Sequence, residues 1–144
     1  MKNSYLGAAI VTVILTSILA FSFVEKERPV DEVKIIEDRV YELRTYTTHP
    51  GKLDNLHERF TNHTLQLFSR HGMVNVGYWV PVDQENTLIY ILSHNSQEAA
   101  VKSWEAFIND PEWQQAYEAS HVDGPIVKEV ESVFMKAVPY SQIR

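Results

Sequence analysis

The chain contains no cysteine, few glycines and fewer basic than acidic residues, and each shortage removes classes of function. Without cysteine, it has no disulfides, thiolate nucleophiles, iron–sulfur clusters, thiolate zinc sites or lipoprotein acylation site. The five glycines are scattered, so no glycine-rich loop is present to cradle a phosphate. The net charge of -6 argues against a nucleic-acid partner, which needs a basic surface.

The remaining composition indicates one folded domain. Hydrophobic residues make up 44% and aromatic residues 11% of the 144 residues, which is enough for a sizeable core. Neither a serine-triad motif nor a paired-carboxylate signature is present. The sequence therefore predicts no cofactor, and no motif in it identifies a reaction.

The first 24 residues carry a single charge, at Lys2, and residues 5–24 are almost entirely apolar. As a helix, this segment would be about 30 Å long, the thickness of a bilayer's hydrocarbon core. Two interpretations remain open: a signal peptide with a small-residue cleavage site at Ala20-Phe21-Ser22, or an uncleaved signal anchor. Both predict an exported protein, periplasmic or extracellular, that meets a membrane only through this segment.

The charge-dense residues 25–38 contain one proline and predict a linker, which leaves residues 39–144 for the folded domain. Alternating apolar and polar residues predict strands over 39–48, 73–81, 87–93 and 126–137. A first helix begins at Pro50 and stops at Gly72, and a second helical region covers 97–108 and restarts after Asp110. This order predicts an α+β, ferredoxin-like βαββαβ fold. Its antiparallel four-stranded sheet has the order 4-1-3-2, with the helices on one face.

The first strand is central in this arrangement, and its two faces have different roles. The side facing the helices is predicted to carry Tyr41, Leu43 and Thr45. The opposite face is predicted to carry Glu42, Arg44, Tyr46, Trp79, Tyr90, Glu129, Glu131 and Val133. Because the fold leaves that face uncovered, we expect a second copy to bury it in a face-to-face homodimer.

Several short motifs in this domain resemble the NIPSNAP family in order and spacing. They are Tyr41-Glu42-Leu43-Arg44-Thr45-Tyr46, His49-Pro50-Gly51-Lys52-Leu53, His63, His71-Gly72 and Asp110-Pro111-Glu112-Trp113. The resemblance covers residues 39–140 and implies the dimeric α+β barrel superfamily, which includes small monooxygenases, isomerases and haem-handling proteins. NIPSNAP proteins have no agreed enzymatic activity. The animal members are mitochondrial, and the export-type leader departs from them.

The histidines of the first helix are too far apart to share a metal ion. At a rise of ~1.5 Å per residue, His63 and His71 are about 12 Å apart along the axis, and His57 and His71 about 21 Å. No His-x-x-x-His pair is present to form a helical zinc site. The sequence therefore predicts no metal site, with a composite site that uses His94 or His121 as the alternative.

The candidate site residues are those expected near the space between helices and sheet, where pockets form in this fold. His63, beside the apolar stripe of the first helix, is the candidate catalytic residue, as a general base or a substrate-orienting group. Arg44 is the candidate to bind an anionic ligand through its planar guanidinium. The other candidates for a ligand pocket are Tyr46, His71, Trp79 and Tyr90. For each of them, packing or ion pairing is the competing interpretation.

Two functions remain open. The first is a homodimeric binding or interaction protein, because the domain consists of packing motifs without a convergent catalytic set. The second is a small cofactor-independent monooxygenase or isomerase that acts on a hydrophobic organic substrate, since some substrates activate oxygen themselves. In both cases the expected partners are a second copy of the chain and a small hydrophobic ligand.

Overall fold

The computed structural model describes residues 38–143. The predicted leader, residues 1–24, and the predicted linker up to residue 37 lie outside the described residues, as does Arg144. Between residues 38 and 143, no helix combines the length and the apolar composition needed to cross a membrane.

Four antiparallel strands form one sheet. They are β1 (Val40–Thr48), β2 (Val74–Trp79), β3 (Thr87–His94) and β4 (Val127–Met135). The sheet order is β2-β3-β1-β4, which confirms the predicted order and the ferredoxin-like βαββαβ fold. β1 is central: its Leu43 lies opposite Ile91 of β3 and Val133 of β4.

The first helix, α1, contains a π-helical turn. It is α-helical over Leu53–Arg59, π-helical over Phe60–Thr64 and α-helical again over Leu65–Arg70. The N–H of Leu65 donates to the carbonyl of Phe60, five residues back, so the turn holds one residue more than an α-helical turn. Gly72 ends the helix as predicted, in the left-handed conformation (φ 78°) that favours glycine.

The two remaining helices begin at side-chain caps. α2 (Gln97–Ile108) follows Ser96, whose hydroxyl accepts a hydrogen bond from the N–H of Ala99 at 3.1 Å. α3 (Pro111–Ser120) follows Asp110, whose carboxylate accepts from the N–H of Glu112 at 2.8 Å, and proline occupies its first turn. The predicted restart at Asp110 is therefore confirmed.

The hydrophobic core lies between the helices and one face of the sheet. Burial of each large apolar side chain contributes about 1.5–3 kcal/mol relative to exposure, so this layer supplies most of the driving force for folding. Its fully enclosed members are Leu56, Phe60, Leu67, Phe68, Met73, Leu88, Tyr90, Leu92, Phe107 and Ile126.

The predicted assignment of the two faces of β1 is wrong. Glu42 and Arg44 contact Trp104 of α2, and Tyr46 packs against Phe60 of α1, so these three residues face the helices. Tyr41, Leu43 and Thr45 alternate with them and face the other way.

The predicted face is also wrong for Tyr90, which is fully buried on the helix side. Glu129 and Glu131 lie on the face away from the helices, as predicted, but they are opposite Thr47 and Thr45 and not beside Glu42 and Arg44. The face away from the helices is therefore less charged at β1 than the sequence suggested, because its central strand presents leucine and threonine there.

The face of the sheet away from the helices is partly open. Val133 is 55% exposed and Trp79 52% exposed on this side. The indole of Trp79 lies across Gly77, where an added Cβ would come within 2.5 Å of a ring carbon, so a larger residue would displace the indole. The C-terminal segment after β4 covers another part, with Val138 and Ile143 beside Tyr41. We refer to this side as the open face.

Candidate functional site

A buried ion pair occupies the helix side of β1. The carboxylate of Glu42, a residue 1% exposed, accepts hydrogen bonds at both oxygens. Oε1 accepts from Arg44 Nη1 at 2.6 Å and Ser132 Oγ at 2.7 Å. Oε2 accepts from Trp104 Nε1 at 2.7 Å and His94 Nε2 at 3.0 Å. Because an ionised carboxylate only accepts, Nε2 is a protonated ring nitrogen of His94.

These four donors keep Glu42 ionised. Burial by itself raises the pKa of this carboxyl group, but the hydrogen bonds from His94, Trp104, Ser132 and Arg44 lower the pKa to about 2. A group with this pKa carries no proton at neutral pH, so Glu42 is unsuited to proton transfer. Its hydrogen bonds join β1 to β3, β4 and α2, which is a structural role.

Arg44, the predicted receiver of an anionic ligand, already has an anion beside it. Its guanidinium pairs with Glu42 at 2.6 Å and lies over the ring of Trp104, 4.2 Å from Cζ to the ring centroid. A second anion at this position would meet the Glu42 carboxylate as well as the guanidinium. Arg44 is therefore a poor candidate to bind one.

Two predicted pocket residues, Tyr46 and Tyr90, belong to an aromatic cluster between α1 and the sheet. Their ring centroids are 5.2 Å apart, Phe60 lies 5.3 Å from Tyr90, and Tyr78 stacks on Tyr90 at 5.2 Å. The Tyr90 hydroxyl has no hydrogen-bond partner among the described residues, and burial raises the pKa of Tyr90 well above its usual range. Tyr46 and Phe60 of this cluster line the cavity described next.

A cavity of about 260 Å³, which we call the inner cavity, lies between the helices and the sheet. Its wall combines aromatic rings, short aliphatic and hydroxyl side chains and one arginine. Residues that line it include Tyr46, Arg59, Phe60, Thr64, Trp113 and Val130. A concave apolar space with few polar groups is the usual form of a small-molecule site.

Arg59 is the buried charge in this wall. It is 5% exposed, its Nη1 donates to Ser120 Oγ at 3.1 Å, and its Nε has no partner within residues 38–143. Its Cζ lies 5.3 Å from the ring centroid of Trp113 and 5.4 Å from that of Tyr117. No carboxylate among the described residues forms an ion pair with it. Burial lowers the pKa of Arg59.

The π-helical turn of α1 follows Arg59 and lines the same wall. The turn begins at the residue after Arg59, and both Phe60 and Thr64 of the turn line the inner cavity. Thr64 Oγ1 donates to the carbonyl of Arg59 at 3.2 Å, which ties the turn to the arginine. No signal in the sequence predicts this site, because an arginine beside a stripe residue is typical of a helix surface and no pattern in residues 60–64 predicts the extra residue.

His63, the predicted catalytic residue, lies on a different side of α1. It lines an outer groove of about 230 Å³ between α1 and α3, together with Glu58, Arg59 and Asp123. The expected position beside the inner cavity is wrong, because the π-helical turn changes the direction in which residue 63 projects. Within residues 38–143, no group of three His, Asp or Glu side chains is placed to hold a metal ion. The catalytic role of His63 stays a prediction.

Two other predicted pocket residues lie outside the inner cavity. His71 Nε2 lies 2.8 Å from Asp110 Oδ2 and joins the end of α1 to the cap of α3. The hydrogen bond from His71 is the main cause that lowers the pKa of Asp110. Trp79 lies on the open face. The predicted pocket residues that the structure brings together are Arg44, Tyr46 and Tyr90.

The NIPSNAP family model matches residues 41–142 of the chain. The chain belongs to the NIPSNAP family. The resemblance seen in its sequence motifs is thereby confirmed, and the match spans β1 to the segment after β4. No curated protein sequence matches this NIPSNAP chain.

Crystal structures of other NIPSNAP proteins share the fold. One, a family member of unknown function from Agrobacterium tumefaciens str. C58, is 19% identical with a TM-score of 0.66 and covers 75% of this chain and 96% of its own. Another is an uncharacterised NIPSNAP-like domain protein from Burkholderia xenovorans. It is 14% identical with a TM-score of 0.65, and the match covers 73% of this chain and 90% of that protein.

A third similar structure comes from outside the NIPSNAP proteins. SnoaB, a cofactor-independent oxygenase from Streptomyces nogalater, is 17% identical with a TM-score of 0.54 and covers 74% of this chain and 99% of its own. At such identities the likeness establishes the fold alone. This NIPSNAP domain thus has the protomer fold of the dimeric α+β barrel proteins.

Proposed function

We propose that this NIPSNAP protein is an exported homodimer that binds a small organic molecule in its inner cavity. The cavity is the observation that carries the proposal: about 260 Å³ of space, walled by aromatic rings and one buried arginine. This volume lies just below the range of sites for drug-sized ligands, which begins at about 300 Å³. The expected ligand is therefore small, on the order of a single substituted ring.

Binding is favoured over catalysis by the chemistry of the wall. Among the described residues that line the inner cavity there is no histidine, and the one carboxylate residue, Glu129, is exposed. A general base must lie within hydrogen-bond reach of the proton that it removes. The nearby buried carboxylate, Glu42, is committed to its four donors.

The alternative function is a cofactor-independent oxygenase that acts on a hydrophobic organic substrate in the same cavity. The fold shared with SnoaB favours this version, because that protein is a cofactor-independent oxygenase. An oxygen electrode separates the two functions once a cavity ligand is known. Oxygen uptake on addition of that ligand supports the oxygenase, whereas a stable complex without uptake supports binding.

Native mass spectrometry of the protein purified from its own source tests the binding proposal. We expect a dimer that retains a small molecule. Val130→Trp, at the exposed rim of the inner cavity, should remove that molecule, while the matched Val101→Trp on the outside of α2 should keep it. A wild-type protein without any retained molecule, or a Val130→Trp variant that retains it fully, contradicts the proposal.

The proposed dimer packs the open faces of two sheets together. Exposed Val133 and Trp79 support it, because burying such side chains is favourable. In light scattering at micromolar concentration, we expect a dimer for wild type and for the control Val101→Asp, and a monomer for Val133→Asp. A monomeric wild type contradicts the dimer.

The proposed export rests on the apolar residues 5–24. Cell fractionation with intact-mass measurement tests it. A shortened soluble protein outside the cytoplasm identifies a cleaved signal peptide, and a full-length protein in the membrane fraction identifies an anchor. A full-length protein in the cytoplasm contradicts export.

A further inference from the structure

We infer that the ligand of the inner cavity is a small aromatic carboxylate and that Arg59 binds its carboxylate group. This inference rests on the proposed use of the inner cavity as a binding site and names the chemical class of the ligand. It depends on the pairing, the geometry and the surroundings of one side chain.

The first argument is the missing partner of a buried charge. A guanidinium remains protonated in proteins even where burial lowers its pKa, as it does at Arg59. Buried charges are normally paired, because an unpaired charge loses its hydration without compensation. Glu58 and Asp123 line the outer groove with Arg59 but form no ion pair with it in the described part of the chain. Residues 38–143 therefore supply no counter-charge to Arg59, and we assign that role to an anion bound in the inner cavity.

The second argument is that one edge of the Arg59 guanidinium is available to donate hydrogen bonds to a ligand. Nη1 is used by Ser120, whereas Nε is buried without a partner among residues 38–143. The edge that contains Nε can donate two parallel hydrogen bonds to one carboxylate. The rings of Trp113 and Tyr117, whose centroids lie 5.3 and 5.4 Å from Cζ, hold the group in place. A carboxylate fits this fork in charge and in shape.

The third argument concerns the rest of the ligand. Tyr46, Phe60 and Trp113 supply aromatic surface around the same cavity, and rings pack well against such walls. Arg59 is the one buried cation among the described residues of the wall, while the exposed Lys128 and Glu129 offset each other, so the wall balances a single negative charge. These features favour a monocarboxylate on a ring over a phosphate ester.

Isothermal titration of the full-length protein with benzoate and with benzamide, its neutral counterpart, tests the inference. We expect wild type to bind benzoate at least about tenfold more tightly than benzamide, because charged hydrogen bonds are the stronger ones. Arg59→Gln should reduce this ratio to about one, whereas Arg59→Lys should keep part of it. The matched control Arg70→Gln changes an exposed arginine outside the cavity wall and should keep the wild-type ratio.

The outcomes separate this inference from the proposed function. Equal binding of benzoate and benzamide by wild type, or an unchanged ratio in Arg59→Gln, overturns the carboxylate and leaves a cavity that binds neutral molecules. Failure of wild type to bind either compound also overturns it. In that case the native mass spectrum decides independently whether the cavity holds another ligand. The wild-type comparison needs no variant, so it stands even if Arg59→Gln fails to fold.

Discussion

Two arginines lie on the helix side of this sheet, Arg44 partly buried and Arg59 buried, and they differ in their partners. Arg44 has Glu42 at 2.6 Å, and that carboxylate is fixed by three further donors. Arg59 has a serine, two aromatic rings and no carboxylate among the described residues. The first arginine joins the strands and α2 through this carboxylate, whereas the second lines the inner cavity.

The difference shows how a buried charge can indicate a site. A charge whose partner is built into the chain contributes to structure and needs no counter-charge from a ligand. A charge buried at the wall of a cavity without a partner lowers the stability of the ligand-free protein, and a ligand of opposite charge recovers that loss. The predictions below test this contrast in order of decreasing effect.

The largest effect is expected at the paired arginine. Glu42→Gln keeps the shape of the side chain but leaves the guanidinium of Arg44 buried without a counter-charge. Breaking a buried pair in this way costs about 3–5 kcal/mol. Urea unfolding measures the loss, with Glu131→Gln on the exposed part of β4 as the control. A loss equal to that of the control would show that the pair contributes nothing.

A related effect is expected in acid. The pKa of Glu42 falls from 4.5 to about 2 on folding, so its contribution is complete above pH 4.5 and is lost as the pH falls towards 2. The loss attributable to Glu42 amounts to about 3 kcal/mol. Comparing the pH dependence of unfolding in wild type and Glu42→Gln isolates it. Curves that stay parallel between pH 5 and pH 2 would contradict the low pKa.

A smaller effect of opposite sign is expected at Arg59. Arg59→Met removes an unpaired buried charge while keeping an unbranched apolar stem, so the ligand-free variant should be more stable by about 1 kcal/mol. Arg44→Met should be destabilised, because it leaves Glu42 unpaired. Thermal unfolding of both ligand-free variants measures the contrast. If both lose stability equally, the two arginines do not differ as described.

The smallest effect is expected at His63. His63→Ala changes a partly exposed side chain in the outer groove, so the free energy of unfolding should stay within about 0.5 kcal/mol of wild type. Benzoate binding should also stay unchanged. Titration of this variant beside Arg59→Gln compares the two candidates directly. A loss of binding in His63→Ala would return this histidine to the site.

The order of strands and helices was predictable because its signals are local. The alternation in β1, the cap at Asp110 and the stop at Gly72 each depend on neighbouring residues. The faces of β1 were not predictable in this way. Glu42 is buried because donors arrive from His94, Trp104 and Ser132, which lie on three other elements. These contacts cannot be read from the sequence, so the charged Glu42 was assigned to the face of the sheet away from the hydrophobic core.

The candidate site was harder to predict than the fold. Tyr46 was predicted to line a pocket, and it lines the inner cavity, because an aromatic residue on the central strand lies near a pocket between helices and sheet. Arg59 was missed because an arginine beside a stripe residue is typical of a helix surface. His63 was misplaced because the π-helical turn at Phe60–Thr64 breaks the regular 3.6-residue period from which its position was estimated. The partner that Arg59 lacks is visible only once all neighbouring side chains are in place.

The most direct test of the contrast between the two arginines is a crystal structure of the full-length protein with benzoate. We predict benzoate in the inner cavity, with its carboxylate within about 3 Å of the Arg59 guanidinium and the pair of Glu42 and Arg44 unchanged. Benzoate bound beside Arg44, or in the outer groove with the inner cavity empty, would contradict the prediction.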